Sequence, residues 1–341
     1  MEEKYFAAVN SYRGFESYYQ DMFGAAERSY IIKGGPGTGK SYFMRTIAKK
    51  AQARGCSVVY IYCSSDPESL DGILIDRRIA LLDGTAPHAA EASLPGARDE
   101  LIDLGKFWDS KNLFLRKEEI KMLSFKKSEA YKIAYDCLGA VGNFEKAIEK
   151  LVRPAVLEKK MQAAIARYLR PIPDGKCASV LNLATSSIGM RGEVRFSTLE
   201  DRAKNAVYVE DFYEPAHLIF DGILREAARK GLAARVSREP AFPDHADAVE
   251  LCESGLLFTS TFKDASRSVN MKRFVDEKLI KDIRSEYRML VHCKENAKNA
   301  AKKALESASK YHFALEEIYI SYMDFEAKER FTEEFENIIF S

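Results

Sequence analysis

The sequence predicts an α/β protein in which one fold occurs twice, each copy having a parallel sheet flanked by helices and then a long helical segment. Three observations predict this architecture. A glycine-rich loop lies between an apolar run and an amphipathic segment, apolar and helix-breaking positions of the first half recur in the second, and the first half ends in a stretch rich in Lys, Glu, Ala and Leu. A strand, a glycine loop and a helix in succession are a common unit of α/β folds.

The composition is that of a globular protein with balanced charge. The chain has 341 residues, enough for two domains, and 46% of them are hydrophobic and 30% charged. Its 52 basic and 51 acidic side chains give a net charge of +1, so nothing in the charge favours nucleic acid or an anionic membrane as a partner. No apolar stretch reaches the length of a membrane helix. We therefore expect neither kind of partner.

The cysteines, histidines and N-terminus set further limits. The six cysteines are scattered without a C-x-x-C pair, and the acidic start at Glu2 and Glu3 lacks the apolar core of a signal peptide. Reduced thiols in a cytoplasm are the simplest interpretation. The five histidines show no zinc-site spacing. The sequence thus predicts a cytoplasmic protein and no zinc motif.

The most specific motif is a phosphate-binding loop of the pattern G-x-x-x-x-G-K-[ST]. Its residues in order are Gly34, Gly35, Pro36, Gly37, Thr38, Gly39, Lys40 and Ser41. The apolar residues 29–32 before it predict a buried strand, whereas residues 42–54 after it have helical spacing and end at Gly55. This is the context that the motif requires, and it predicts a P-loop NTPase fold.

The residue types of the loop indicate its ligand. Glycines allow positive φ angles and let backbone N–H groups approach a phosphate, while the following helix N-terminus adds partial positive charge. Lys40 is predicted to contact the β- and γ-phosphates, and the Ser41 hydroxyl to ligate Mg²⁺. With Tyr42 at the start of the helix, residues 34–42 are the predicted binding site for ATP and Mg²⁺.

The chain aligns with itself, which predicts a duplication. At an offset of 176 residues, the helix that begins at Ser41 falls on the segment that begins at His217. After residue 85 the offset becomes 167, and residues 147–149 then align with residues 314–316. Apolar positions and helix breakers stay in register although identities are sparse, so we expect both halves to have the same fold.

The repeat predicts two domains. Residues 1–172 form a nucleotide-binding domain with a helical hairpin insert at about 110–170, which we expect to be broken at Gly139 and Gly142. Residues 173–341 form a degenerate repeat of the same domain with C-terminal helices.

The second copy lacks the chemistry of the loop. Where the first copy has Lys40, the second has Ala216, and its loop positions include the acidic residues Glu210, Asp211 and Glu214. Like charges repel, so these carboxylates disfavour phosphate. We predict that the second copy binds no nucleotide in this manner and has a structural, regulatory or partner-facing role.

Two aspartates are candidates for the carboxylate that P-loop enzymes place near Mg²⁺. Asp83 ends the apolar run of residues 79–82, as a Walker B aspartate does, and Asp66 follows the second predicted strand at a crevice edge. In the second copy they align with Thr259 and Phe242, so both are lost together with the loop. An ordinary turn or N-cap role is the alternative. The predicted catalytic residues are Lys40, Asp83 and Asp66, and the predicted metal ligands are Ser41, Asp83 and Asp66.

The residues after Asp83 affect the expected rate. No glutamate follows it, so the water-polarising carboxylate of many ATPases is missing there and we expect slow hydrolysis. His88 and Glu91 are further candidates for contacting phosphate or orienting water, although a lone histidine in a loop is more often a polar surface residue.

The chain resembles a family of uncharacterised bacterial proteins predicted to be ATPases with tandem P-loop domains. The resemblance rests on IKGGPGTGKS at residues 32–41, CSSDPESLDG at 63–72 and LDGTAPH at 82–88. It implies a P-loop fold in each half, but members often keep a second intact loop where this chain has residues 210–217. The family implies no particular substrate.

Three functions fit these observations. The leading expectation is a Mg²⁺-dependent ATP-binding P-loop NTPase in which slow hydrolysis moves the helical segments or controls binding of a protein partner. The alternatives are a P-loop kinase for a small molecule or nucleotide, with the insert around His88 and the helical hairpin as a lid, and a non-hydrolysing nucleotide-gated scaffold. The sequence has no guanine-reading N/T-K-x-D motif, which favours ATP over GTP, and an oligomer is possible.

Overall fold

The computed structural model describes residues 2–85, 91–261 and 265–340. These residues form two mixed sheets flanked by helices, and the two halves of the chain are similar in the order of their strands and in their main helices. The predicted α/β class and the two similar halves are therefore confirmed. Within these ranges, every helix is too short or too polar to cross a membrane.

The first half forms a six-stranded sheet with helices around it. Its elements in chain order are β1 (Glu3–Phe6), β2 (Ala8–Ser11), β3 (Gly14–Ser17), α1 (Tyr19–Phe23), β4 (Arg28–Lys33), α2 (Lys40–Ala53), β5 (Val58–Tyr62), β6 (Leu70–Ile75), β7 (Ile79–Asp83), β8 (Asp99–Asp103), α3 (Ser110–Leu115), α4 (Lys117–Val152) and α5 (Glu158–Leu169). The sheet order is β1-β5-β6-β7-β4-β8.

The prediction of a wholly parallel sheet is wrong at β6, which runs antiparallel to β5 and β7. A tight turn joins β6 to β7, with φ angles of 49° at Asp76 and 56° at Arg77. Two central residues with positive φ form the turn that suits a two-stranded hairpin, and a hairpin is antiparallel by construction. The remaining neighbours in this sheet pair in parallel.

The second half repeats this arrangement. Its elements in chain order are β9 (Ser179–Leu183), β10 (Ser186–Gly189), β11 (Gly192–Arg195), α6 (Thr198–Arg202), β12 (Asn205–Glu210), α7 (Ala216–Arg229), β13 (Ala233–Arg238), β14 (Ala246–Leu251), β15 (Leu256–Thr259), β16 (Arg267–Asn270), α8 (Glu277–Ile320) and α9 (Phe325–Ile339). The sheet order is β16-β12-β15-β14-β13-β9. Each strand has the same neighbours as its counterpart, and β14 is the antiparallel strand that corresponds to β6.

Burial follows the periodicity of each element. Residues 29–32 of β4 are all buried, as expected for a strand covered on both faces. In α2, Phe43, Ile47 and Ala51 recur at helical spacing and are fully buried against the sheet. The helix ends before Gly55, whose φ of 83° suits glycine.

The predicted break of the long helical segment at Gly139 and Gly142 is wrong, because α4 continues through both residues. Gly142 instead allows a close approach, since a Cβ atom there would lie 2.5 Å from the ring of Tyr12. The chain turns further on, in a 3-10 turn at Arg153–Ala155. Pro154 in this turn has no N–H group to continue an α-helix.

The long helices of the two halves pack against one another. Short bridges join Trp108 to Met323 at one end and Val156 to Val275 at the other, so α4 and α8 run antiparallel. After its long helix, each half contributes its final helix to the opposite sheet. Helix α5 packs on α7 of the second half, and α9 packs on α2 of the first half.

This exchange means that each core uses residues from both halves. Phe335 of α9 is buried 5.2 Å from the ring of Phe43 in α2, and Ile165 of α5 contacts Gly222 of α7. The predicted limits of residues 1–172 and 173–341 separate the repeats in sequence, whereas the packed cores share helices across them.

Contacts at the centre of the molecule recur with the halves interchanged. Phe6 and Ala184, at corresponding positions, exchange two backbone hydrogen bonds of 2.8 and 3.1 Å. The Tyr12 N–H donates to the Ala241 carbonyl oxygen at 2.9 Å, and correspondingly a backbone N–H of the second half donates to Ser65 at 2.7 Å. The halves are therefore related by an approximate two-fold axis.

Candidate functional site

The glycine loop (residues 34–39) joins the end of β4 to the first residue of α2. Gly37 and Gly39 have φ angles of 70° and 76°, a left-handed conformation that favours glycine. The strand, loop and helix predicted from the sequence are thus present in that order. Because the first N–H groups of a helix lack helical partners, the loop and the start of α2 together suit an anion.

Lys40 folds its side chain back over the loop. Its Nζ atom donates to the carbonyl oxygens of Gly34 and Gly35 at 2.7 and 3.0 Å, and the Thr38 hydroxyl also donates to Gly35 at 2.9 Å. The same Nζ atom lies 3.5 Å from Oδ2 of Asp83, and both side chains are nearly buried. A positive charge is therefore held inside the loop with one carboxylate beside it.

Asp83 reaches Lys40 because β7 is the neighbour of β4. The two parallel strands pair Ile32 with Asp83 at their carboxyl ends. The backbone N–H of Thr85 donates to Oδ1 of Asp83 at 2.7 Å, and the Thr85 hydroxyl donates to the Gly34 carbonyl oxygen at 2.7 Å. These bonds fix the carboxylate against the loop.

Asp66 and Ser41 are linked through the turn that precedes β6. Asp66 is buried and accepts hydrogen bonds from Nε of Arg191 at 2.8 Å and from the Ser69 hydroxyl at 3.2 Å. The next backbone N–H, that of Leu70, donates to Oγ of Ser41 at 3.0 Å. The turn that carries Asp66 is therefore anchored to the first turn of α2. The arginine comes from the hairpin of β10 and β11 in the second half.

The remaining predicted residues lie around this centre or outside the described part of the chain. Tyr42 is exposed, with Nζ of Lys328 4.6 Å from its ring centre. Glu91 is exposed and pairs with Lys33 at 3.1 Å. His88 lies outside the described residues.

The end of α8 covers the glycine loop. A Cβ atom added to Gly37 would lie 2.9 Å from the Glu316 carbonyl oxygen and 3.0 Å from the Ile320 side chain, and one added to Gly35 would lie 3.0 Å from the Trp108 ring. The loop of the first half is thus closely packed under a helix of the second half.

This helix brings charged groups that the sequence reasoning missed. Burial raises the pKa of Glu316, and Asp66 adds to the shift, whereas Lys40 and the Gly37 N–H group oppose it. Burial and nearby lysines lower the pKa of His312, one turn earlier, to about 4. A carboxyl group and a neutral imidazole of α8 therefore interact electrostatically with Lys40.

The repeat register contained one signal for these residues. It aligns residues 147–149 with residues 314–316, so Glu316 has a counterpart in Glu149 on α4. The register could not indicate that each long helix reaches the loop of the opposite half. That follows only from the antiparallel packing of α4 and α8.

The acidic loop (residues 211–215) occupies the corresponding place between β12 and α7. Tyr213 and Glu214 have φ angles of 68° and 65°, so this loop keeps a left-handed backbone without glycine. Such a conformation is an outlier for a bulky residue and requires support from its surroundings. Ala216 stands where Lys40 stands in the first half, so this loop offers no ammonium group to a phosphate.

A cluster of two histidines and one glutamate lies beside the acidic loop. Oε1 of Glu149 is 3.2 Å from Nε2 of His217 and 2.7 Å from Nε2 of His245. The two imidazole rings stack with centres 3.9 Å apart and an interplanar angle of 3°. Although the spacing of the histidines gives no zinc motif, the fold brings these two together. The amino-acid pattern carried no signal for this contact.

The protonation of the cluster differs between its histidines. Burial, with His245 adding to the shift, lowers the pKa of His217 to about 4. Burial opposes the charged form of His245 as well, but the hydrogen bond to Glu149 and the nearby carboxylates of Glu145 and Glu239 raise its pKa overall. The neighbouring carboxylates therefore favour a positive charge on His245.

Further charged groups surround the acidic loop. Nζ of Lys294 donates to Glu145 at 2.9 Å and to Glu214 at 2.7 Å. Although the surface of Asp211 is exposed, desolvation by the surrounding protein raises its pKa to about 7, and Glu214 adds to the shift. A cleft of about 290 Å³ opens beside the cluster and is lined by residues that include His217 and Arg153.

Comparisons with known proteins give one partial match. The chain is similar to the family described as Nephrocystin 3, N-terminal, over residues 15–75, which contain the glycine loop and α2. This segment is less than a fifth of the chain and indicates similarity there only. Neither a curated protein nor a solved structure matches the chain.

Proposed function

We propose that the chain is a Mg²⁺-dependent, ATP-binding P-loop NTPase in which slow ATP hydrolysis is coupled to displacement of α8 and α9. The observation that carries this proposal is the position of Lys40, whose ammonium group lies inside a glycine loop and 3.5 Å from the buried carboxylate of Asp83. The resemblance of residues 32–41, 63–72 and 82–88 to bacterial predicted ATPases supports it.

The residues present fit a nucleotide and a hard cation. Glycines at positive φ leave the loop N–H groups unobstructed for phosphate oxygens, and Lys40 would exchange its carbonyl contacts for contacts with the β- and γ-phosphates. The Ser41 hydroxyl and the carboxylates of Asp83 and Asp66 are oxygen donors of the kind that Mg²⁺ prefers. Bound Mg²⁺ would neutralise phosphate charge.

The close packing of α8 supports the coupling to movement. The Gly37 N–H group, one of the donors that a phosphate chain would use, favours the charged form of the Glu316 carboxylate, and the Glu316 backbone packs against Gly37. A nucleotide would therefore compete with this carboxylate, and negative charge on both groups makes their joint occupancy unfavourable. Entry of ATP would displace Glu316, and with it the end of α8 and the α9 helix that packs on α2.

The test is phosphate release from Mg-ATP by the full chain and by Lys40→Ala. We expect turnover in the wild-type protein and a loss on the order of 100-fold or more in the variant, as follows removal of one group that stabilises transition-state charge. Lys49→Ala, an exposed lysine on the same helix, is the matched control and should keep full activity.

Other outcomes separate the alternative functions. Release of ADP only when an acceptor molecule is added would favour the kinase. Binding of ATP without turnover, together with an ATP-dependent change in the protection of α8 from hydrogen exchange, would favour the gated scaffold. Failure to bind Mg-ATP at millimolar concentration would refute all three functions.

A further inference from the structure

The cluster at the acidic loop joins three separate parts of the fold. Glu149 lies near the end of α4, His217 in the first turn of α7, and His245 just before β14. One ligand atom from each residue lies within 4.8 Å of the other two. Two imidazole nitrogens that bind a tetrahedral ion at 2.0–2.1 Å lie about 3.4 Å apart, and the two stacked rings, parallel to within 3°, must tilt relative to one another so that both lone pairs point at the ion.

The hydrogen bonds around His217 leave two acceptors facing one another. Its Nδ1 atom lies 3.1 Å from the Glu214 carbonyl oxygen, which can only accept, so Nδ1 carries the proton of a neutral ring. Nε2 then presents a lone pair towards Oε1 of Glu149 at 3.2 Å, and an ionised carboxylate also has only lone pairs. A cation between these atoms removes the repulsion.

We propose that Glu149, His217 and His245 bind one divalent transition-metal ion of the zinc type. Two imidazoles and one carboxylate are ligands that suit Zn²⁺ and are poorly suited to Mg²⁺, which prefers oxygen. Three protein ligands leave a fourth position open, as in metal sites that retain a water or bind a further ligand. The cleft of about 290 Å³ beside His217 gives access to that position.

The ligands are held by their surroundings. The strained φ angles at Tyr213 and Glu214 point the Glu214 carbonyl towards His217, and its side chain is fixed by Lys294. A hydrogen bond to the second ring nitrogen fixes the tautomer and orientation of a metal-binding histidine. Because Glu149 belongs to the first half and both histidines to the second, the ion clips α4 to the second core. This inference does not depend on the proposed nucleotide site.

The test is a Zn²⁺ titration of the full chain, freed of metal by a chelator, with a competing chromophoric chelator as the readout. We expect one equivalent per chain to bind tightly, and we expect His245→Ala to weaken Kd by more than the roughly 10- to 100-fold that loss of an outer-shell partner costs. His292→Ala removes an exposed histidine of α8 and should leave Kd unchanged.

A second variant and a spectrum keep the test decisive. Glu149→Gln preserves the shape of the side chain but removes its charge, so it should weaken Zn²⁺ binding while circular dichroism remains native. Co²⁺ in place of Zn²⁺ should give the visible absorption of a tetrahedral site with nitrogen and oxygen ligands. Equal Zn²⁺ affinity in wild type, His245→Ala and Glu149→Gln would overturn the proposal, as would the absence of stoichiometric binding at micromolar Zn²⁺. Lys40→Ala should bind Zn²⁺ normally, which separates this site from the nucleotide site.

Discussion

The glycine loop and the acidic loop each join a strand to a helix at corresponding places, yet they present opposite chemistry. The first has glycine at its left-handed positions and Lys40 at its end, whereas the second has Tyr213 and Glu214 at positive φ and Ala216 at its end. Duplication has therefore kept the left-handed conformation at one position, Gly37 and Tyr213, whereas Gly39 with a φ of 76° is matched by Pro215 with a φ of −87°. The order of strand, loop and helix alone does not indicate the ligand.

The long helices α8 and α4, which cover the two loops, show the same contrast. Glu316 on α8 and Glu149 on α4 occupy corresponding positions, and each reaches the loop of the opposite half. At the glycine loop the carboxylate meets N–H donors and an ammonium group, and at the acidic loop it meets two imidazoles. The same position on the two long helices thus lies at a proposed anion site in one half and at a proposed cation site in the other.

The largest expected effect concerns the exchange of final helices. Phe335 is buried against Tyr30 and Phe43 of the first half, so Phe335→Ala should lower the free energy of unfolding by about 3–5 kcal/mol. Its counterpart Tyr168 is only partly buried, and Tyr168→Ala should cost less. Urea denaturation measures both, with exposed Glu333→Ala as the control. Equal losses in the two variants would contradict the difference in packing between the two cores.

The next largest expected effect is the pH dependence of stability that Asp211 in the acidic loop causes. The folded-state pKa of Asp211 is raised to about 7, above its unfolded value, so its favourable contribution is present at low pH and is lost as pH rises through 7. Asp211→Asn removes this loss. One pKa unit corresponds to about 1.4 kcal/mol, but the Asp211 side chain is exposed and solvent screens its charge, so the variant should gain at most about 1.5 kcal/mol more at pH 8 than at pH 5.

Urea denaturation at the two pH values, with a chelator present, checks this prediction. The first half has Gly35 at the corresponding position, so no matching titration is expected there. Asp282→Asn, on an exposed part of α8, is the control. An equal gain at both pH values would show that Asp211 does not titrate between them.

Competition between Glu316 and phosphate at the glycine loop should change the affinity for ATP by a smaller free energy. Glu316→Gln removes the charge that meets the Gly37 N–H group, so ATP should bind roughly tenfold more tightly, since hydrogen bonds to charged groups contribute about 1.5–3 kcal/mol. Glu149→Gln is the matched control and should leave ATP affinity unchanged. Calorimetry with a non-hydrolysable ATP analogue measures both, and weaker binding by Glu316→Gln would show that this carboxylate does not compete with phosphate.

The sequence predicted what depends on local pattern. The strand, glycine loop and α2 follow from apolar spacing and glycine, and the position of Asp83 follows from its place at the end of a strand. The duplication was readable because apolar positions and breakers kept their register. These features are encoded within a few tens of residues.

The remaining features depend on packing between distant segments. Helix periodicity indicates that α5 and α9 have apolar faces, but not that each covers the other half's sheet. Gly142 was mistaken for a helix break because its role, a close approach by Tyr12, involves a residue far away in the chain. Glu149, His217 and His245 meet only because α4 lies against the second core, so no spacing rule could identify them.

The smallest expected effect concerns Asp66, a predicted metal ligand whose counterpart in the second half is Phe242. Arg191 pairs with Asp66 and with Glu68, each at 2.8 Å, whereas its counterpart Arg13 pairs at 2.7 Å with Asp244, which corresponds to Glu68. Both arginines are substantially exposed, so Arg191→Ala and Arg13→Ala should each change the free energy of unfolding by less than about 1 kcal/mol.

The two variants should nevertheless differ in metal affinity. Arg191 occupies a carboxylate oxygen that a nucleotide-bound Mg²⁺ would use, so its removal should raise the apparent Mg²⁺ affinity in the presence of ATP by roughly two- to fivefold, the equivalent of less than about 1 kcal/mol. Arg13→Ala should leave it unchanged. A Mg²⁺ titration of ATP binding measures the difference. No change in either variant would remove Asp66 from the metal ligands and leave Asp83, whereas weaker Mg²⁺ binding in Arg191→Ala would mean that the arginine positions the Asp66 carboxylate rather than competing for it.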